Sequence, residues 1–172
     1  GHLCDVSVWG QGQTDATRNP WCGILMARSS SFPCSNMRMT NVSIDGYFRG
    51  AGFLNYAAEV IDATGCLFQN RRVATNAVTD PSYAAILQGR DQFPCKSQFV
   101  TIVTGRQSFT VNYYAGCQIQ KPFGIVGPTL YMTDIASARF DKLYATNGGG
   151  SVIEWDLNEA YDCYDIQMDI QV

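Results

Sequence analysis

Two acidic residues flank a tryptophan near the end of the chain, in the order Glu154, Trp155 and Asp156. In an extended strand, side chains two positions apart lie on the same face, so the two carboxyl groups share one side. Cleavage of a glycosidic bond needs such a pair, with one group as the acid and the other as the base or nucleophile. Glu154 and Asp156 are therefore the candidate catalytic pair, and a solvated strand face is the simpler interpretation.

Aromatic and arginine side chains suggest contact with sugars. Trp and Tyr rings stack on the C–H faces of sugar rings, and the planar guanidinium of arginine suits the carboxylate of an acidic glycan. Filling of the core, or contact between subunits, is the alternative role for each aromatic residue. The candidate glycan-binding residues are Trp155, Tyr113, Arg71 and Arg72.

Other kinds of site are poorly supported. His2 is the only histidine, so Ser-His-Asp and Cys-His nucleophilic sites cannot form, and we expect Gly1-His2 to be the remnant of a cleaved tag. The seven cysteines include no CxxC pair, so we expect no metal site and no cofactor. A net charge of −3 argues against nucleic acid as a partner, and no apolar run is long enough to span a membrane.

Strict alternation of apolar and polar residues is the main structural signal. It runs through the segments at 109–113, 153–157 and 164–172, and it is typical of half-buried β-strands. The strands are short, and Gly, Asn, Asp, Ser and Pro separate them. The sequence therefore predicts an all-β chain with less than about 10% helix, far below the usual fraction. Tyr113 and Tyr114 are adjacent on one strand, so one of them should face outwards.

The tripeptide Phe-Pro-Cys occurs twice, beginning at Phe32 and at Phe93, which is an offset of 93 − 32 = 61 residues. Recurrence at such spacings is the signature of a solenoid, in which stacked coils complete one another's core. The offset would then correspond to two or three coils. A chance similarity of two turns, and a two-sheet antiparallel sandwich, are the alternatives.

Short strand motifs extend this pattern along the chain. Their apolar anchor residues are separated by steps of 24, 51, 21 and 26, and the doubled step leaves room for a further coil at 99–103. At roughly 20–30 residues per coil, the chain should form about six to eight coils. We expect most cysteines to be reduced and to face inwards, with Cys34 and Cys95 at equivalent coil positions, and a disulfide framework is the alternative. The anchors are Ile44, Phe68, Ile119, Phe140 and Ile166.

The segments "GAGFLNYAAEVIDATGCLFQNRR" and "YMTDIASARFDKLYATNGGGSVIEWDLNEAYDCYDIQMDIQV" resemble coils of right-handed, single-stranded parallel β-helices. The resemblance is to the pectin-lyase-like superfamily, in particular to bacteriophage tailspikes and related polysaccharide-degrading proteins. It implies that residues 1–172 form one β-helical segment of a longer chain, which assembles as a homotrimer. It also implies a place in the virion tail, outside the cell after assembly in the host cytoplasm.

Three functions are consistent with that resemblance. The first is binding of host cell-surface polysaccharide by a tailspike or tail fibre. The second is cleavage of that polysaccharide by a hydrolase or lyase site on the same fold. The third is a structural role, as a trimeric stalk or virion adhesin without a glycan site. Motifs of polygalacturonase-like enzymes, such as Gly-His-Gly, are absent from the sequence, so enzymatic activity is left open.

Overall fold

The computed structural model describes residues 1–10, 19–27, 36–56, 60–72, 83–88, 111–120, 130–133, 137–146, 153–156 and 166–171. Within these ranges the chain forms fifteen β-strands and no helix, as the sequence predicts. The strands are β1 (His2–Cys4), β2 (Ser7–Gly10), β3 (Cys22–Ala27), β4 (Met37–Thr40), β5 (Ser43–Gly46), β6 (Ala51–Tyr56), β7 (Val60–Thr64), β8 (Leu67–Gln69), β9 (Tyr83–Gln88), β10 (Val111–Ala115), β11 (Gln118–Gln120), β12 (Leu130–Thr133), β13 (Ser137–Thr146), β14 (Ile153–Asp156) and β15 (Ile166–Gln171).

Each strand from β1 to β10 pairs in parallel with the strand three places further along the chain, so the strands form three stacks. The first stack runs β1, β4, β7, β10 and β13, and the second runs β2, β5, β8, β11 and β13. The third stack runs β3, β6, β9, β12 and β14. Because all these pairs are parallel, the antiparallel sandwich is excluded for the described strands.

Three consecutive strands, one from each stack, make one unit of the repeat. The long strand β13 serves two stacks, since Ser137–Asp141 pairs with β10 and Tyr144–Thr146 pairs with β11. The strand β15 pairs with β13 along both of these parts and so begins a sixth unit. The described strands thus form five complete units and the start of another, against the six to eight predicted.

Alternation along the strands places one set of apolar side chains between the three stacks. Phe68 is fully buried, and its register partners Ile44 and Ile119 are buried above and below it. Its ring stacks on Phe53 at 4.8 Å between centroids and meets Tyr114 edge-on at 6.4 Å. The core therefore joins all three stacks.

A residue with positive φ stands at the same place in each of the five units, between the strands of the first and second stacks. These residues are Asp5, Asn41, Gly65, Gly116 and Lys142. The amides of the first four continue the hydrogen-bond ladder from unit to unit, as in the 2.9 Å bond from Gly65 N to Ala115 O. Asn, Asp and Gly adopt this left-handed conformation most readily, which explains their presence at four of the five positions.

The register explains the distance between the two Phe-Pro-Cys motifs. Ala27 pairs with Tyr56, and Tyr56 pairs with Gln88, so positions 27 and 88 are two units and 61 residues apart. In the sequence, Phe32 and Phe93 each lie five residues beyond these positions. The motifs themselves lie outside the described residues, but their offset equals two units.

The further coil expected at 99–103 lies outside the described residues. Ile119 pairs directly with Phe68, although 51 residues separate them, so no strand of the second stack lies between. The anchors Ile44, Phe68 and Ile119 do share one column, whereas Phe140 pairs with Tyr114 in the first stack.

Four of the seven cysteines lie in the described ranges, and all four are free thiols. Cys66 and Cys117 are buried at the corner between the first two stacks, where each follows a positive-φ glycine. Cys22 is half-buried, and burial raises its pKa to about 11. Cys4 is exposed, so it departs from the expected inward orientation.

Candidate functional site

An exposed tryptophan marks the outer side of the second stack. Trp9 on β2 is 60% exposed, whereas most large apolar side chains of the described residues are buried. Its neighbour Val8 pairs with the buried Ile44, so alternation directs Trp9 away from the core. A large exposed ring on a flat strand surface is a typical contact for a ligand.

Arg71 and Asp45 form a clamp beside this ring. The guanidinium donates from Nε to Asp45 Oδ1 at 2.7 Å and from Nη2 to Asp45 Oδ2 at 2.5 Å. The same guanidinium lies over the Trp9 ring, 5.4 Å from its centroid. Hydrogen bonding to Asp45 raises the pKa of Arg71, so the guanidinium stays charged at ordinary pH. The clamp therefore fixes one side of the Trp9 ring.

The repeat brings these three residues together from three different units. Trp9 pairs with Asp45 in the parallel register of β2 and β5. Arg71 follows β8, and its amide donates to Gly46 O at 2.7 Å, which holds it beside the second unit. Its side chain then reaches back across about two strand spacings of roughly 4.8 Å to Trp9.

Amide side chains extend the same surface along the stack. With its amide nitrogen turned towards Asp45, Gln69 donates to the carboxylate at 3.1 and 3.3 Å. On β11, Gln120 Nε2 donates to Gln118 Oε1 at 2.9 Å. We call this surface the Trp9 face, and it comprises Trp9, Asp45, Gln69, Arg71, Gln118 and Gln120. It combines an open aromatic ring with amide donors and acceptors that suit hydroxyl groups.

Two glycines allow the strands of the Trp9 face to pack closely. Gly46 follows Asp45 with a φ of +134°, which other residues rarely adopt, and a Cβ there would collide with the backbone of Gly10. Gly10 follows Trp9, and a Cβ on it would lie 2.7 Å from Phe48 Cε1. Both positions therefore require glycine for steric reasons.

The structure removes Arg72 from the predicted glycan contacts. Arg72 is only 3% exposed, and its Nη1 donates to Arg49 O at 2.6 Å. The buried Asn70 beside it donates to Tyr83 O and accepts from the amides of Phe48 and Arg72. Arg72 thus stabilises the turn after β8, while its neighbour Arg71 remains partly exposed.

Tyr113 lies on the outer side of the first stack, on a different surface. Tyr114 is fully buried and Tyr113 is half-buried, so the prediction that one of the two faces outwards is confirmed. Arg139 lies over the Tyr113 ring at 5.9 Å from the centroid, and Arg38 pairs with Asp62 at 3.2 Å. We call this surface the Tyr113 face, and it comprises Arg38, Asp62, Tyr113 and Arg139.

The predicted acid pair lies on the third stack, away from both faces. Glu154, Trp155 and Asp156 are in β14, where they pair with Tyr131, Met132 and Thr133. Trp155 therefore shares the register position of the buried Met132, and the two acids take the alternate positions. Their catalytic role stays a prediction.

The sequence contains a signal for the Trp9 face that single residues do not reveal. The segment "VSVWG" at 6–10 matches "VSIDG" at 42–46, with an offset of 36 residues that equals one unit in the register of β2 and β5. Aligned in this way, Trp9 falls beside Asp45 on the outer side. Arg71 was identified from the sequence, whereas Trp9, Asp45 and the glutamines were not.

Within the described ranges, no group of three or more His, Cys, Asp or Glu side chains is placed to hold a metal ion. The same part of the chain contains no helix that is long and apolar enough to cross a membrane. Comparison of the chain with models of known protein families, with curated proteins and with solved structures found no match.

Proposed function

We propose that this chain is a segment of a right-handed, single-stranded parallel β-helix that binds host cell-surface polysaccharide as part of a phage tailspike or tail fibre. The three parallel stacks and the five repeated units support the β-helix. The resemblance of the coil sequences to tailspikes supports the place in the virion. A homotrimer would cover lateral apolar side chains such as Leu25, which is exposed on the third stack.

The observation that carries the glycan proposal is the exposed Trp9 ring held by the Arg71–Asp45 clamp. A ring fixed in place loses little conformational freedom when a sugar stacks on it, which favours binding. The amides of Gln69, Gln118 and Gln120 lie on the same face and can exchange hydrogen bonds with hydroxyl groups. A structural stalk would not need an open aromatic ring beside a row of amides.

Asp45, the acidic residue of the Trp9 face, favours binding without cleavage. Asp45 already accepts two hydrogen bonds from Arg71, so its carboxylate is poorly placed to act as a base or nucleophile. The candidate catalytic pair, Glu154 and Asp156, belongs to the third stack, in another part of the unit. Polysaccharide cleavage is therefore the alternative that the experiment must separate.

A glycan array probed with the purified protein tests the proposal. We expect binding to a subset of bacterial surface polysaccharides, and we expect the Trp9→Ala variant to bind them more weakly. A reducing-end and unsaturated-product assay on the bound glycans should show no release, and release that disappears in Glu154→Gln would favour a depolymerase. Light scattering should give the mass of a trimer. Absence of any glycan binding by a folded trimer would favour the structural stalk.

A further inference from the structure

We infer that the Trp9 face selects uncharged sugar units, and that Asp45 withholds Arg71 from acidic glycans. This inference rests on the proposed function and adds the class of ligand. Considered alone, the arginine suits an acidic glycan, because a guanidinium matches a carboxylate. In the structure that match is already made, since both oxygens of Asp45 accept from Arg71.

The charges of this face balance. Among its described residues, Arg71 carries the positive charge and Asp45 the negative charge, while Trp9 and the three glutamines are neutral. A carboxylate on a ligand would have to approach the charge of Asp45 or displace it. The Asp45 side chain is mostly buried, at 14% exposure, so water screens this repulsion only in part.

The remaining surface suits hydroxyl groups. A stacked sugar presents C–H groups to the Trp9 ring and hydroxyl groups at its edges. Gln118 is exposed, and its amide and that of Gln120 can each donate and accept. Neutral hexoses and N-acetylhexosamines provide these groups without a charge. Arg71 acts as a positioning residue for the ring.

The test compares neutral and uronate-containing oligosaccharides of equal length on one array, followed by titration of the best ligand of each class. We expect the natural sequence to bind the neutral class at least about tenfold more tightly. Its affinity should change by less than about twofold between 50 and 500 mM NaCl, because no ion pair with the ligand is formed.

The Asp45→Asn variant provides the sharper measurement, because it frees the guanidinium. We expect it to gain affinity for uronate-containing oligosaccharides by about tenfold, and we expect salt to weaken this new binding. A second substitution, Arg71→Gln, should remove the gain. A loss of structure alone would not create a new, salt-dependent affinity for acids.

Asp62→Asn is the matched control, because it makes the same change beside Arg38 on the Tyr113 face. It should leave the affinity for both classes of oligosaccharide unchanged. Preference of the natural sequence for acidic glycans, with an affinity that falls in salt and in Arg71→Gln, would overturn the inference while leaving glycan binding intact. If the folded protein bound neither class of glycan, the proposed function itself would be wrong. If Asp45→Asn did not fold, the glycan preference of the natural sequence and its salt dependence would still test the inference.

Discussion

On the Trp9 face, one arginine makes both the ion pair and the ring contact: Arg71 bonds Asp45 twice and lies 5.4 Å from the Trp9 ring centroid. On the Tyr113 face, two arginines divide these contacts. Arg38 pairs with Asp62 through one hydrogen bond of 3.2 Å, and Arg139 lies over Tyr113. The residue types are alike, but the contacts are connected on one face and separate on the other.

This difference shows how a repeated backbone produces unequal surfaces. Both faces are outer sides of parallel stacks with the same spacing between strands. On the Trp9 face, the pair is partly buried and the ring is open, so the charges are fixed and the apolar surface is free. On the Tyr113 face, the Arg38 side chain is 65% exposed and the tyrosine is half-buried. Connected contacts hold a ring in one place, which separate contacts do less well.

The largest effect should come from the core that supports both faces. Phe68→Ala removes the ring that contacts Phe53 and Tyr114, so we expect the free energy of unfolding to fall by about 3–5 kcal/mol. Chemical denaturation measures this loss. Leu67→Ala, one residue earlier and half-buried on the outer side, is the control and should cost less than about 1 kcal/mol. Equal losses in the two variants would mean that the core is not where the alternation places it.

The next effect concerns the backbone under the Trp9 face alone. Gly46→Ala combines an unfavourable φ of +134° with a collision against Gly10, so we expect a loss of about 3 kcal/mol in unfolding free energy. Gly65→Ala is the control, because its φ is +61° and a Cβ there meets nothing within 4 Å. It should cost about 1 kcal/mol. A Gly46→Ala protein as stable as Gly65→Ala would contradict the close approach of β2 and β5.

The smallest expected effect on stability is the difference between substitutions in the two ion pairs. Arg71→Lys loses the two-point bond to Asp45 and the planar contact with Trp9, and it should lower the free energy of unfolding by about 1 kcal/mol. Arg38→Lys changes a single exposed contact, so its effect should stay below about 0.5 kcal/mol. Thermal unfolding of the two variants compares them directly. The reverse order would show that the clamp does not hold the Trp9 ring.

The sequence predicted the backbone of this molecule better than its surface. Alternation, short strands and the 61-residue offset indicated an all-β repeat, because a stacked core imposes apolar residues at each unit. The 51-residue step between Phe68 and Ile119 shows the limit, because step lengths alone do not distinguish a long connection from an additional unit. Only the register reveals that Phe68 and Ile119 are neighbours.

Surface residues were harder to predict because neighbouring residues of the same type can differ in burial. Arg71 and Arg72 look alike in the sequence, yet one is partly exposed beside Asp45 and the other is buried. In the segment at 153–157, the tryptophan alternates together with Ile and Leu, which groups it with the apolar side. Trp9 instead follows Val8, which belongs to the inward column, and this favours the outer side for its ring.

The most direct test of the account is the affinity of two variants for the glycan that the array identifies. By isothermal titration, Trp9→Ala should bind it about 5- to 150-fold more weakly than the natural sequence, which corresponds to about 1–3 kcal/mol for an aromatic contact. Tyr113→Ala should bind within about twofold, because its ring lies on the other face under Arg139. If Tyr113→Ala lost the binding and Trp9→Ala kept it, the glycan site would lie on the Tyr113 face and the central claim would be wrong.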